Sequence, residues 1–261
     1  MKKAVFFDID GTLIDWVNGL MEIRPKVKES IRKLQENGHY AFIATGRPYA
    51  FLDKTLLEFG FDGFVLTNGA HVKIKDKTIF KEALDKNFVK EVVNNFENLN
   101  IQYMLQGEID SYMKEDYKEF YNFFDSVNIS RKHLKSDYNL EDIDTFKIEM
   151  LCTDKDGENY CFSLESDEHN YMYHEKINSF ELYSKKITKA SGILKTLEYL
   201  NIPIENSYAF GDGKNDIEML STVGCGIAMG NASDEVKNYA KEVTDSVHND
   251  GIALGIETFI L

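Results

Sequence analysis

The stretch VFFDIDGTL, residues 5–13, decides the fold class of this chain. A short apolar run, Ala4–Phe7, leads into two aspartates one residue apart, Asp8 and Asp10, and Gly11 then lets the chain turn away. A continuous apolar run of this length is typical of a parallel strand that is covered on both faces. Two like charges at the tip of a buried strand repel each other, so the rest of the chain must supply a group that compensates for them.

Strands and helices alternate on both sides of a long middle segment. We expect a helix from Pro25, a strand at Tyr40–Ala44 and a helix from about Tyr49 to Phe59, with further alternation from Ile187 onward. The middle segment holds nine of the 14 tyrosines and no proline, and it reads as helices and alternating strands. We therefore predict an α/β domain with a parallel sheet, formed by residues 1–82 and 185–261, and an inserted α+β domain at residues 83–184.

Composition narrows the classes of partner. The formal net charge of −14 argues against binding to nucleic acid or to an anionic membrane through the overall field. The apolar stretch near the start ends at Asp8 and no apolar run is long enough to span a membrane, so a cytoplasmic protein is expected. Cys152, Cys161 and Cys225 lack the spacing of a zinc site and are interpreted as inert thiols. An anionic substrate would need local positive charge.

Polar residues follow four of the predicted strands. In an open parallel sheet, ligands bind beyond the carboxyl ends of the strands, so these residues are expected to share one site. They are Asp8 and Asp10, then Thr45, Gly46 and Arg47, then Asn68, and then Asp212, Asn215 and Asp216. Each group taken alone is also compatible with ordinary turn chemistry.

The acidic residues indicate a metal. Asp8, Asp10, Asp212 and Asp216 would repel one another if brought together, and Mg²⁺, which prefers oxygen ligands, removes that cost. A second DxDG stretch, residues 154–157, lacks a partner motif and is interpreted as a hairpin or loop turn.

Three further residue types suit an anion. Thr45 and Gly46 offer a hydroxyl and an open N–H before a helix, and Lys189 offers a cation. Plainer interpretations stay open: Thr45 as a helix cap, Lys189 as a surface lysine, and Asn68 as a turn residue that also contacts the site. Arg47 either pairs with phosphate or only solvates its helix.

This set suits phosphoryl transfer. A metal and a lysine would neutralise phosphate oxygens while Asp8 attacks phosphorus to form an aspartyl-phosphate. Asp10 would protonate the leaving oxygen and later take a proton from water.

At this point a family resemblance is evident. DIDGTL (8–13), ATGR (44–47), the lysine of ITKASGI (187–193) and GDGKND (211–216) resemble the four ordered motifs of the haloacid dehalogenase (HAD) superfamily. TNGA (67–70), AMGNA (228–232) and NDGIA (249–253), together with the position of the insert, resemble its Cof-type (IIB) phosphatases.

The resemblance implies a Rossmann-like core and a C2-type cap domain that closes over the substrate. It implies that Mg²⁺ is held by the Asp8 carboxylate, the Asp10 main-chain carbonyl and Asp212, and that Thr45, Gly46 and Lys189 bind the transferred phosphoryl group. It also implies that Asp216 orients metal-bound water or Lys189, and that Asn215 contacts the phosphate or supports these groups.

The expected function is a Mg²⁺-dependent phosphatase of small phosphorylated metabolites, such as sugar phosphates or pyridoxal phosphate. A hexose-phosphate mutase is an alternative that needs a second phosphate site. The candidate residues for that site also suit a solvated charge cluster: Lys114, Arg131, Lys132 and Lys135. A binder of phosphorylated ligands without turnover is a third possibility, but it would have no need of a nucleophile at Asp8. The sequence leaves the physiological substrate and the oligomeric state open.

Overall fold

The computed structural model describes residues 1–126 and 129–261. The chain forms two compact units. The first unit contains residues 1–46, 54–81 and 188–261, and the second unit contains residues 47–53 and 82–187. Among the described residues, no helix combines the length and the apolar composition that crossing a membrane requires.

The elements alternate at both ends of the chain, as the sequence predicts. Residues 1–81 contain β1 (Ala4–Phe7), α1 (Pro25–Glu36), β2 (Tyr40–Ala44), α2 (Lys54–Glu58), β3 (Gly63–Leu66), β4 (His71–Ile74) and β5 (Lys77–Lys81). Residues 82–187 contain α3 (Lys86–Asn98), β6 (Gln102–Gln106), β7 (Ser111–Tyr112), α4 (Lys118–Ser126), β8 (Leu134–Lys135), β9 (Lys147–Leu151), α5 (Lys155–Phe162), β10 (His169–His174) and β11 (Ser179–Ser184). Residues 188–261 contain α6 (Lys189–Leu200), β12 (Ser207–Gly211), α7 (Ile217–Thr222), β13 (Cys225–Ala228), α8 (Asp234–Lys237), β14 (Glu242–Val243) and α9 (Gly251–Gly255).

The first unit is built on an eight-stranded sheet in the order β14-β13-β12-β1-β2-β3-β4-β5. The strands from β14 to β3 pair in parallel, and β4 and β5 add an antiparallel hairpin. Phe7 lies opposite Phe210 on one side and Ile43 on the other. Because these three strands run in register, the residues that follow β1, β2 and β12 lie at one edge of the sheet. The predicted mixed α/β fold with a parallel sheet is confirmed.

Aromatic and branched residues make the sheet a rigid base for that edge. Every residue of β1 is fully buried. The ring of Phe7 stacks on Phe210 with centroids 5.3 Å apart, and Phe6 stacks on Phe42 at 5.2 Å. Each fully buried side chain of this size contributes about 1.5–3 kcal/mol, so the strand ends are held by a strongly stabilised core.

The second unit has its own six-stranded sheet, in the order β10-β11-β9-β6-β7-β8. Its pairs are antiparallel except β7 with β8. Residues 47–53 belong to this unit, whereas the sequence analysis placed them in the α/β domain. The reason is packing: the ring of Phe51 contacts Phe124 edge-on at 5.3 Å, within a cluster that includes Met104. The unit also begins at Glu82 and ends at Ile187, a few residues from the predicted limits of 83 and 184.

Two local predictions are wrong. The helix expected from Tyr49 to Phe59 is a 3₁₀ turn at Tyr49–Phe51 and a separate helix, α2, because Leu52 takes an extended conformation. The stretch 154–157 is the start of α5 and not a hairpin or loop turn, because the Asp154 carboxylate caps the helix by accepting from the N–H of Gly157 at 2.8 Å. N-cap and turn positions favour the same residue types, so the letters alone did not distinguish them.

Candidate active site

The strand ends of the first unit bring together most of the residues that the sequence singles out. Asp8 follows β1 and is 5% exposed, and its N–H donates to the carbonyl of Phe210 in β12 at 3.0 Å. Asp212 follows β12, and Lys189 is the first residue of α6. Only Arg47, among the predicted site residues, belongs to the second unit.

Lys189 is the centre of a buried ionic network. Its Nζ lies 2.6 Å from Oδ1 of Asp8 and 2.6 Å from Oδ1 of Asp216. The lysine is 1% exposed and Asp216 is fully buried. The interpretation of Lys189 as a surface lysine is therefore wrong, and this cation is bound to two acids.

Asp216 is fixed by the main chain as well as by the lysine. Its Oδ2 accepts from the N–H groups of Asp212 and Gly213, at 3.0 and 2.9 Å. Both carboxylate oxygens therefore have protein partners, and the turn that carries Asp212 is folded around Asp216. Because both oxygens already accept hydrogen bonds, Asp216 suits a role in orienting Lys189 and the Asp212 turn better than a role as a direct ligand of a metal or substrate.

The pKa values in the network are perturbed. Burial, reinforced by the charge of Asp216, raises the pKa of Asp8 well above its ordinary value, although Lys189 acts to lower it. Burial raises the pKa of Asp212 to about 6, against a hydrogen bond from Thr12 that lowers it. Burial acts to lower the pKa of Lys189, but the charges of Asp216 and Asp8 outweigh it and the net direction is upward. The protein thus concentrates more negative charge here than Lys189 alone compensates.

The turn after β1 places Asp10 and Thr12 beside Asp212. The charge of Asp10 contributes to raising the pKa of both Asp8 and Asp212, and the Thr12 hydroxyl donates to Oδ1 of Asp212 at 2.7 Å. Gly11 has a φ of +81°, and a Cβ there would lie 2.1 Å from Oδ2 of Asp212. Glycine is therefore required by both the backbone conformation and the close approach of the acid.

The predicted anion ligands form a second group. Thr45 is 1% exposed, and its carbonyl accepts from the N–H of Asn68 at 3.0 Å. Oδ1 of Asn68 accepts from the side-chain amide of Asn215 at 3.2 Å. A Cβ on Gly46 would lie 3.0 Å from that same Oδ1. Because Gly46 has no side chain, the space between it and the Asn68 amide stays free.

Three acids form the one cluster with metal-ligand spacing among residues 1–126 and 129–261. Asp8, Asp212 and Asp216 each offer an oxygen atom, and these atoms all lie within 4.8 Å of one another. Carboxylate oxygens at this spacing are the donors that a hard divalent cation prefers. Burial is the main cause of the raised pKa values of Asp8 and Asp212, and repulsion from neighbouring acids adds to it; a cation would offset that repulsion.

The second unit accounts for the other candidates. The guanidinium of Arg47 donates to the carbonyl of Phe51 at 3.4 Å. Lys114 pairs with Glu97 and Arg131 with Asp125, at 2.5 and 2.6 Å, on exposed side chains, as solvated ion pairs do. The thiols of Cys152 and Cys161 are buried with Sγ atoms 3.4 Å apart.

Two supporting residues were missed by the sequence analysis. Thr12 orients Asp212, and the side-chain amide of Asn231 donates to the carbonyl of Gly11 at 2.8 Å while its Oδ1 accepts from the N–H of Val247 at 2.9 Å. Asn231 lies in the AMGNA stretch that contributed to the resemblance, so a signal was present. Its role could not be predicted from the sequence, because its partner, Gly11, lies 220 positions away.

Comparisons with known proteins identify the family to which the chain belongs. Residues 5–256 match the haloacid dehalogenase-like hydrolase family. YkrA of Bacillus subtilis (strain 168), whose name describes it as a phosphatase, is 31% identical over 262 residues that cover 98% of this chain and 97% of YkrA. The 5-amino-6-(5-phospho-D-ribitylamino)uracil phosphatase YitU of the same organism is 29% identical over 262 residues, with 95% and 94% of the two chains covered.

A solved structure extends the likeness to the fold. The HAD subclass IIB sugar phosphatase BT4131 superimposes with a TM-score of 0.81 and 26% identity, over 99% of both chains. The predicted family is confirmed: this chain belongs to the haloacid dehalogenase-like hydrolases and is a phosphatase of the HAD superfamily.

Proposed function

We propose that this phosphatase hydrolyses small phosphorylated metabolites through an aspartyl-phosphate on Asp8, with Mg²⁺ as its cofactor. The observation that carries the proposal is the contact of Lys189 Nζ with Asp8 and Asp216, at 2.6 Å each, beside the third acid, Asp212. A buried lysine bound to two carboxylates, with a further carboxylate close by, suits a group that brings its own negative charge together with a metal.

Asp8 is proposed as the nucleophile. Lys189 binds its Oδ1, which fixes the rotation of the carboxylate and orients Oδ2 for attack on phosphorus. The attack forms an O–P bond and breaks the bond from phosphorus to the leaving oxygen. Hydrolysis of the resulting acyl phosphate then returns Asp8 to its carboxylate form.

Asp10 is proposed as the general acid and base. Its position one residue beyond the nucleophile, on the turn opened by Gly11, suits delivery of a proton to the leaving oxygen and later removal of a proton from water. The charge of Asp10 acts on both Asp8 and Asp212, which supports its closeness to the reacting group.

Asp8, the main-chain carbonyl of Asp10, and Asp212 are proposed to hold Mg²⁺. When bound, the cation would neutralise the charge of the phosphate oxygens and make phosphorus more electrophilic. Thr12 holds Asp212 by its 2.7 Å hydrogen bond, and Asp216 positions Lys189 through its own 2.6 Å contact. Ligands oriented in this way by neighbouring groups bind metal more tightly.

Thr45, Gly46, Asn215 and Lys189 are proposed to bind the transferred phosphoryl group. Gly46 presents no side chain toward Asn68 and Asn215, which suits the close approach of phosphate oxygens to the main chain. One relative is named for a uracil derivative phosphorylated on its ribityl chain and another for sugar phosphates, and both favour a phosphomonoester on a polyhydroxylated carbon chain as substrate. We propose that the second unit acts as the cap that selects among such substrates.

The test is phosphate release from a panel of phosphomonoesters in Mg²⁺ or in EDTA. The panel spans hexose and pentose phosphates, pyridoxal phosphate, nucleoside monophosphates and p-nitrophenyl phosphate. Metal-dependent release that Asp8→Asn abolishes is the expected result. Asp154→Asn is the matched control, because Asp154 begins the other DxDG stretch and asparagine also caps helices. Full activity in Asp8→Asn would contradict the proposed nucleophile, and an inactive wild type in every arm would contradict the proposed function.

A further inference from the structure

The turn that follows β3 has an unusual backbone. Thr67, Asn68 and Gly69 have φ angles of +52°, +53° and +100°, so three successive residues take left-handed conformations. A β-branched residue such as threonine rarely does so, and the conformation costs about 1–3 kcal/mol. Thr67 is also 4% exposed, and its hydroxyl has no hydrogen-bond partner among the residues that the structure describes. The contacts around the turn must therefore outweigh a real local cost.

One set of contacts joins the turn to the anion ligands. The N–H of Asn68 donates to the carbonyl of Thr45 at 3.0 Å, and its Oδ1 accepts from Asn215 at 3.2 Å. Two strand-end loops that are 170 positions apart in sequence, at Thr45 and Asn215, are thus attached to one residue. The left-handed backbone of Asn68 is what points its N–H and its side chain toward these two partners.

A second set of contacts joins the turn to the start of α6. A Cβ on Gly69 would lie 2.1 Å from the carbonyl oxygen of Thr188. A Cβ on Gly192 would lie 2.8 Å from Cα of Gly69 and 2.6 Å from Cγ1 of Val65. The main chains of the turn and the helix are therefore in direct contact, because both sides carry glycine. Thr188 caps α6, and the next residue is Lys189.

We propose that the Thr67–Gly69 turn is a positioning element of the active site, which sets the depth at which α6 begins and so the reach of Lys189 toward Asp8. The inference rests on the proposed function for its effect on turnover, but its structural claim is independent. The turn acts through Lys189 on one side and through Thr45 and Asn215 on the other.

The size of the effect follows from the contacts. Carbon atoms in contact lie about 3.5–4.0 Å apart, so alanine at position 192 must move the helix start or the turn by about 1 Å. The two hydrogen bonds of Lys189 are 2.6 Å long and have little tolerance for such a shift. A displacement of about 1 Å in a catalytic arrangement lowers turnover up to about a hundredfold. We therefore expect Gly192→Ala and Gly69→Ala to lower kcat between tenfold and a hundredfold.

Two glycine variants in the same unit serve as matched controls. Gly38 has a φ of +80°, and a Cβ there would meet no atom of the described residues within 4 Å other than those of its chain neighbours, so Gly38→Ala reproduces the backbone strain of Gly69→Ala without a collision. A Cβ on Gly224 would lie 2.5 Å from the carbonyl oxygen of Ile204, so Gly224→Ala reproduces the collision. The N–H of Gly224 donates to the hydroxyl of Ser207, the first residue of β12. Gly224 therefore lies at the end of β12 opposite to Asp212. Both controls should keep kcat within twofold of wild type.

The experiment measures kcat for p-nitrophenyl phosphate, the inhibition constant of inorganic phosphate, and the folded fraction by circular dichroism, all in Mg²⁺. Partial unfolding lowers the number of active sites but leaves the inhibition constant of phosphate unchanged. A displaced Lys189 raises that constant in the folded protein. We expect Gly69→Ala and Gly192→Ala to change both kcat and the inhibition constant, and the controls to change neither.

Asn68→Gly tests the other side of the turn and keeps the left-handed conformation, which glycine adopts without cost. It should fold as well as wild type and weaken phosphate binding about three- to tenfold, the contribution of one neutral hydrogen bond. Unchanged phosphate binding in Asn68→Gly, or normal kinetics in folded Gly192→Ala, would overturn the proposal. If wild type releases no phosphate from any ester, the proposed function fails instead. The positioning role is then read from the phosphate-induced rise in melting temperature, which the turn variants should lose and Gly38→Ala should keep.

Discussion

Replacing Asp212 by asparagine should make the metal-free protein more stable while it removes the response to metal. Burial raises the pKa of Asp212 from 3.8 to about 6, so the ionised carboxylate opposes folding. Asparagine is uncharged and still offers an oxygen to the hydroxyl of Thr12, which lies 2.7 Å from the acid. The variant therefore loses the negative charge but keeps an acceptor for the hydrogen bond from Thr12.

The magnitude follows from proton linkage. An acid whose pKa is raised on folding is most favourable below its unfolded pKa, and its contribution falls as the pH rises from 3.8 through about 6. At pH 7.5 the full difference applies and corresponds to about 3 kcal/mol in the free energy of unfolding, against about 1.5 kcal/mol at pH 5. Asp212→Asn should recover most of this at pH 7.5 and about half as much at pH 5.

Urea unfolding in EDTA at pH 7.5 and pH 5 measures the gain in the free energy of unfolding. The same titration in Mg²⁺ shows whether the metal still stabilises the protein. Wild type should be stabilised by Mg²⁺, by about 2.7 kcal/mol at a hundred times the dissociation constant, and the variant should not. Asp76→Asn, at an exposed aspartate in the β4–β5 turn, should change neither quantity. A metal-free Asp212→Asn less stable than wild type at pH 7.5, or one that Mg²⁺ stabilises equally, would refute this reasoning.

Three further predictions follow from contacts described above. Lys189→Met should lower kcat for p-nitrophenyl phosphate at least about a hundredfold, because a buried cation at a developing phosphate charge is lost, whereas Lys195→Met, on the exposed side of the same helix, should leave kcat within twofold. Thr12→Val should raise the Mg²⁺ concentration needed for half-maximal activity about tenfold by removing the hydroxyl that orients Asp212, and Thr12→Ser should restore it; equal Mg²⁺ requirements in all three proteins would contradict the orienting role. In the second unit, burial raises the pKa of Glu149 from 4.5 to about 7, so its ionised form weighs against folding as the pH rises through that window. Glu149→Gln should therefore stabilise the protein more at pH 8 than at pH 5, measured by urea unfolding, and a larger gain at pH 5 than at pH 8 would show the sign to be wrong.

The parallel sheet was predictable because its central strands are buried on both faces. Ala4–Phe7 and Tyr40–Ala44 are continuous apolar runs in the sequence, and the structure has strands with those same limits. The polar residues after them could be assigned to one edge without coordinates, because parallel strands end on the same side of a sheet. That rule required only the order of elements along the chain.

The assignment of residues 47–53 and the role of Thr12 could not be predicted, because their packing partners are distant in sequence. The apolar pattern from Tyr49 to Phe59 does not show that Phe51 packs on Phe124, which draws residues 47–53 into the second unit. Thr12 was missed because its partner, Asp212, is 200 positions away. Local patterns predict the elements and the chemical types of the site, but long-range contacts decide which side chains orient them.

The position of β1 in the sheet has a consequence for the order of folding. β1 is synthesised long before β12, Ser207–Gly211, yet the two strands are neighbours in the sheet. The sheet of the second unit lies within residues 102–184, so all its strands have emerged before β12 exists, and domains generally fold as units during synthesis. Asp8, whose N–H donates to the carbonyl of Phe210 in β12, therefore lacks that partner while the second unit folds. Lys189 emerges before β12 does, so the counter-charge of Asp8 is already available when β12 pairs with β1.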